Sequence, residues 1–144
     1  MDFEREVIRR LRDYKFKKIA LENNLEKLKY LEDRFTSIKP VTYDSDPIKG
    51  GGTAQEDVFI NNIFERDILK DNIKHCRVEI EEIDGALKYL DKKELELITS
   101  SFIDGLSVQT VCEKMYFEKS SYYKFRSQII RKLALILYGR SRNE

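Results

Sequence analysis

The chain has 144 residues, 27 of them Lys or Arg and 26 Asp or Glu, with 41 % hydrophobic and 37 % charged residues. That length suits one compact domain or two small units. The apolar share is large enough to bury a core, which argues against a disordered chain. With two prolines and six glycines, helix formers dominate and an all-α fold is expected. No run of about 18 apolar residues exists, so no membrane span is expected. The opening "MDFEREVIRRLRDYKFKK" lacks the apolar stretch of a signal peptide, and the cytoplasm is the expected location. Cys76 and Cys112 stand alone without CxxC spacing, which reads as two buried thiols rather than a disulfide or metal site.

The first segment, about residues 2–35, places Val7, Tyr14, Leu21, Leu28 and Phe35 seven apart, with Leu11 and Leu25 between. This predicts a helix with a narrow apolar stripe. Glu4, Lys18 and Glu32 occupy the remaining seam positions, too polar for a self-sufficient zipper. Pro40 closes the segment. "KPVTYDSDPIKGGGT" then reads as a flexible connector over about 38–54. Its Lys49 precedes the glycines, the reverse of the order a phosphate loop needs. A second long helix is predicted over about 54–90. Leu69, Ile73, Cys76, Ile80, Ile83, Leu87 and Leu90 form its heptad seam, and acidic residues line its outer face. The two helices pair either as a hairpin or as an intermolecular coiled-coil stalk. Together they make a region 1–90, followed by a second region 91–144.

From residue 91 the texture changes to short helices. Asp91 with Glu94 three residues on is a capping box, and Leu95, Ile98, Phe102 and Ile103 form the apolar face behind it. Asp104-Gly105 signals a turn. Ser107 caps the next helix, with Val108, Val111, Cys112 and Met115 apolar. After a gap of about four residues a last helix starts near Lys119 or Ser120, runs to about Tyr138 and stops at Gly139. Three helices in this order describe a helix-turn-helix. Tyr122, Phe125, Ile129 and Leu133 should face inward, with Cys112 at the closest helix crossing.

Charge is sorted along the chain. Residues 1–39 carry 11 basic and 8 acidic groups, net +3; residues 40–90 carry 6 and 11, net −5; residues 91–144 carry 10 and 7, net +3. From Lys119 to Arg142 there are seven basic residues and no acid. Such a face on a last helix suits a DNA groove, because cations neutralise phosphates and release counterions. Lys119, Ser120, Tyr123 and Lys124, at the helix start, are the candidates for base contact. Ser127 and Gln128 can reach base edges, while Arg126, Arg131 and Lys132 are placed to hold the backbone. Double-stranded DNA is therefore the expected partner. The acidic middle segment, Glu79, Glu81 and Glu82 included, is a candidate face for RNA polymerase. No acid–base pair, ligand cluster or phosphate loop points to an enzyme, a cofactor or a metal. The single His75 sits beside the heptad seam, with no metal cluster or nucleophile in the sequence for it to serve.

The stretch "LDKKELELITSSFIDGLSVQTVCEKMYFEKSSYYKFRSQIIRKLALIL" resembles region 4 of bacterial sigma factors. It is closer still to the C-terminal domain of ArpU- and RinA-type regulators, which activate late genes of Gram-positive phages and prophages. "YDSDPIKGGG" is similar to the connector of those proteins. The resemblance implies a sequence-specific transcriptional regulator acting in the bacterial host cytoplasm, with a sigma-like helix-turn-helix for promoter DNA. The chain departs from the pattern at two positions. Tyr116 stands where glycine is usual in the turn, and Glu118 stands where Ser, Thr or Asn usually opens the recognition helix. Two other readings compete. A small terminase subunit would bind a packaging site and assemble as a ring, although its DNA-binding unit generally comes first. A protein-interaction module would dock on polymerase with an incidental basic face. A homodimer through the long helices is compatible with the regulator.

Overall fold

A computed structural model describes residues 2–37 and 52–142. Five α-helices are present among them: α1 Phe3–Ser37, α2 Gly52–Leu87, α3 Lys92–Ile98, α4 Val108–Met115 and α5 Lys119–Tyr138. A π-helical turn, Thr99–Ile103, continues α3. No strand occurs in the described residues, so the all-α expectation holds. The expected connector at 38–54 lies outside them up to residue 51, and residues 52–54 already belong to α2. Both long helices start and end within three residues of the sequence expectation. At about 1.5 Å per residue each extends roughly 50 Å.

The chain divides into two compact units, and the division falls inside both long helices. The first unit holds residues 1–18 and 78–144. Its core is built from Val7, Leu11, Ile83, Leu97, Ile98, Val111, Tyr122, Ile129, Leu133 and Ala134, all closed to solvent. Leu97 takes the place expected of Leu95, which is exposed. Adjacent helical positions differ by about 100° in direction, so a two-residue error in the stripe exchanges inside for outside.

One buried charge ties this unit together. Arg10 is 6 % exposed. Its Nε donates to Glu79 Oε2 at 3.2 Å, its Nη2 to Glu82 Oε2 at 2.5 Å, and its Nη1 to the Tyr138 hydroxyl at 3.2 Å. Burial works against the Arg10 charge, but the bonds to Tyr138 and Glu82 and the nearby Glu79 outweigh it and push the guanidinium pKa up. Four residues further along α1, the Tyr14 hydroxyl donates to Asp84. Burial and then this hydrogen bond push the Tyr14 pKa up.

The second unit holds residues 19–77. Among the described residues of this unit, Leu31, Leu69, Ile73 and Cys76 are buried, so the first part of the predicted α2 seam is covered. Ile60, Phe64 and Ile68, spaced four apart on α2, are exposed, as are Val58, Phe59 and Tyr30.

Candidate nucleic-acid interface

Local hydrogen bonds set the ends of the short helices. Asp91 accepts from the Glu94 backbone N–H at 2.8 Å, and Glu94 Oε1 accepts from the Asp91 N–H at 3.1 Å. The capping box is complete, and the bond from the Glu94 backbone is the main reason the Asp91 carboxyl is held below its ordinary range. The Ser107 hydroxyl accepts from the Thr110 N–H at 3.1 Å and starts α4. Gly105 supplies the left-handed turn before it, at φ 69°.

The turn between α4 and α5 is built differently. Tyr116 ends α4 at φ 59°, ψ 41°, a left-handed conformation that a Cβ disfavours. The Phe117 N–H reaches back to the Cys112 carbonyl at 2.9 Å, closing the helix end as a Schellman motif. The Tyr116 ring is 95 % exposed. Glu118 then enters α5 in extended conformation without a side-chain cap.

Packing fixes which side of α5 faces out. The Tyr122 hydroxyl donates to Ser101 Oγ at 2.8 Å, and Tyr122, Ile129 and Leu133 are buried as expected. Phe125 is half-buried against Phe117, with ring centroids 5.6 Å apart. The Lys93 ammonium lies 4.8 Å from the Phe117 ring and 5.8 Å from the Phe125 ring. Val111, not Cys112, is the α4 residue closed to solvent. Cys112 is half-buried and lines an open groove of about 380 Å³ with Val108, Gln109, Glu113, Phe117 and Lys119. It stands one position on from the buried Val111, about 100° further round the helix.

The candidate contact residues separate into two groups. Lys119, Ser120, Tyr123, Lys124, Ser127 and Gln128 are all exposed on the first half of α5. The other three are engaged. The Arg126 guanidinium lies 4.7 Å from the Phe102 ring centroid and 5.9 Å from that of Tyr123. Arg131 Nε is 3.7 Å from Glu4 Oε1, and Lys132 Nζ donates to Glu94 Oε1 at 3.1 Å.

Compared with known protein families, curated proteins and solved structures, the chain has no match.

Sequence reasoning gave α5 a single buried stripe. A second one exists, because Ile130 and Ala134 are also buried. They lead, in steps of four, to Tyr138, which meets Phe3 at 5.2 Å between ring centroids and Arg10 at hydrogen-bond distance. Side chains of α1 thus engage the second half of α5, and the uncovered cationic face is confined to about its first ten residues. The spacing of Ile129-Ile130 and Leu133-Ala134 carried this signal, as a doubled apolar pair one turn apart. Two of the three glutamates offered as a polymerase face, Glu79 and Glu82, are bonded to Arg10, while Glu81 is exposed. No three His, Cys, Asp or Glu side chains gather as metal ligands among the described residues. Nor is any described helix long and apolar enough to cross a membrane.

Proposed function

We propose that this chain is a double-stranded-DNA-binding transcriptional regulator, with α3, α4 and α5 as a sigma region 4-like helix-turn-helix and α5 as its recognition helix. The observation that carries the reading is the exposed first half of α5. It presents Lys119, Ser120, Tyr123 and Lys124 together, with no acidic side chain between Lys119 and Arg142. A helix entering a major groove contacts bases with this part and leaves its far end near the backbone. Ser120, Tyr123, Ser127 and Gln128 supply the hydrogen-bonding groups for base edges, and Lys119 and Lys124 the counter-charge for phosphates. Arg131 and Lys132 make exposed or half-exposed pairs with Glu4 and Glu94. Pairs of that kind are weak, and a phosphate can replace the carboxylate.

Activation of phage or prophage late genes in the host cytoplasm, with RNA polymerase as a second partner, follows from the likeness to ArpU- and RinA-type regulators. Glu81, exposed like Asp67 and Asp71 on the same acidic segment, is left for a polymerase contact. A homodimer is part of the reading, and the stripe Ile60, Phe64 and Ile68 supports it, since large apolar side chains in a row are otherwise kept from water. The test is a gel shift with fragments of the source genome, comparing the wild-type chain with Lys119→Glu plus Lys124→Glu. Two charge reversals should abolish the shift at moderate salt. Undiminished retention by the double variant would refute DNA binding through α5.

A further inference from the structure

The Arg12 guanidinium lies 5.8 Å from the centroid of the Phe102 ring. The Arg126 guanidinium lies 4.7 Å from the same centroid. Phe102 is 6 % exposed, and these two arginines, one from α1 and one from α5, lie within 6 Å of its ring centre. Neither makes an ion pair among the described residues. Four other cations of this unit do pair with carboxylates. Arg9 pairs with Glu6 and Asp13, Arg10 with Glu79 and Glu82, Arg131 with Glu4 and Lys132 with Glu94.

We propose that Arg12 and Arg126, gathered on the Phe102 ring, form a clamp for a backbone phosphate of bound duplex DNA. The clamp rests on the DNA-binding reading and adds to it a residue from α1, over one hundred positions from the recognition helix in sequence. Three features carry it. Two like charges are brought onto one ring with no carboxylate paired to either, and an anion contacting both would offset their repulsion. Guanidinium is the group whose planar fork matches phosphate oxygens in bidentate geometry. Stacking on a buried ring leaves the N–H edges of a guanidinium to meet an anion while its orientation is held. The location also fits. Arg126 is joined through the Tyr123 ring, 5.9 Å away, to the face that holds Lys119 and Lys124. Bases would be met at the start of α5 and the flanking strand by the clamp, the usual division between specifying and positioning contacts.

The test uses the full chain and a fluorescent random-sequence duplex of about three helical turns, titrated by anisotropy over roughly 0.05 to 0.2 M NaCl. Arg12→Gln should lower the slope of log affinity against log salt by about 0.9, the value for one lost phosphate contact, which is about eightfold in affinity at 0.1 M salt. Lys29→Gln makes the same charge change about 25 Å further along α1 and should leave the slope at the wild-type value. Arg12→Lys keeps the charge without the fork, so it should keep the slope and bind more weakly; it also serves if Arg12→Gln fails to fold. Thermal melts on all variants establish that they are folded. The clamp is overturned if Arg12→Gln melts lower but binds with wild-type affinity and slope, since the guanidinium then only packs on Phe102. It is equally overturned if Lys29→Gln reproduces the effect or if Arg12→Lys binds as wild type. Failure of the DNA reading itself looks different. There the wild-type chain shows no salt-dependent affinity, or Lys119→Glu plus Lys124→Glu changes nothing, and the clamp falls with it.

Discussion

Replacing Tyr116 with glycine should make the protein more stable. The residue sits at φ 59°, ψ 41°, and a left-handed conformation costs a non-glycine residue about 1–2 kcal/mol. Nothing offsets that strain through packing, because the ring is 95 % exposed. Glycine removes the clash but has a more flexible unfolded chain, which costs about 0.5–1 kcal/mol. The net gain is about 0.5–1 kcal/mol. For a chain of this length each kcal/mol moves the melting temperature by about 3 °C, so a rise of roughly 2–3 °C is expected. Tyr116→Ala keeps the Cβ and the strain and should melt like the wild type. The C-terminal end of α5 provides the reverse comparison. Gly139 adopts φ 72° there, and Gly139→Ala should destabilise by about 1 kcal/mol. The assay is a thermal melt followed by helical circular dichroism on all four proteins. A Tyr116→Gly variant melting at or below the Tyr116→Ala variant would refute the strain argument.

Further expectations concern the ion pairs, the capping box and the exposed stripe. Arg10→Ala should destabilise by about 2 kcal/mol, read by urea titration, at the low end for a charge-bearing network because Glu79 and Glu82 both reach water; Arg10→Met, which keeps the stem, should cost less. The Asp91 carboxyl is held below its ordinary range in the folded chain. Its contribution is therefore present above the unfolded value and lost as pH falls below about 4. Asp91→Asn, still a competent cap, should flatten the fall in melting temperature between pH 5 and 3 (both approximate); an unchanged fall would assign the acid sensitivity elsewhere. Sedimentation equilibrium should give two chains per particle for the wild type, and Ile60→Lys plus Phe64→Lys should return it to one. A ring of about eight or more would instead favour the terminase reading.

Element boundaries were legible because they are settled within a few residues of sequence. The capping box of Asp91 and Glu94, the cap at Ser107, the left-handed Gly105 and the stop at Gly139 each involve groups no more than five positions apart, and each was where the residue types put it. The inward set Tyr122, Ile129 and Leu133 followed from helical period alone. The exposure of Lys119, Ser120, Tyr123 and Lys124 followed in turn, being the complement of that set.

Other features depend on partners far away in the chain, and no local rule specifies those. Arg10 reads as a surface arginine until α2 and α5 bring Glu79, Glu82 and Tyr138 to it, across 69, 72 and 128 positions. Ile130 and Ala134 become core only because a second layer covers α5. Arg12 and Arg126 share a ring only because α1 and α5 both reach Phe102. Helix formation is a matter of backbone hydrogen bonds three to five residues apart, and sequence determined it. Which faces are covered is a matter of surface burial between segments, and the tertiary structure decided how much of the basic helix stays open.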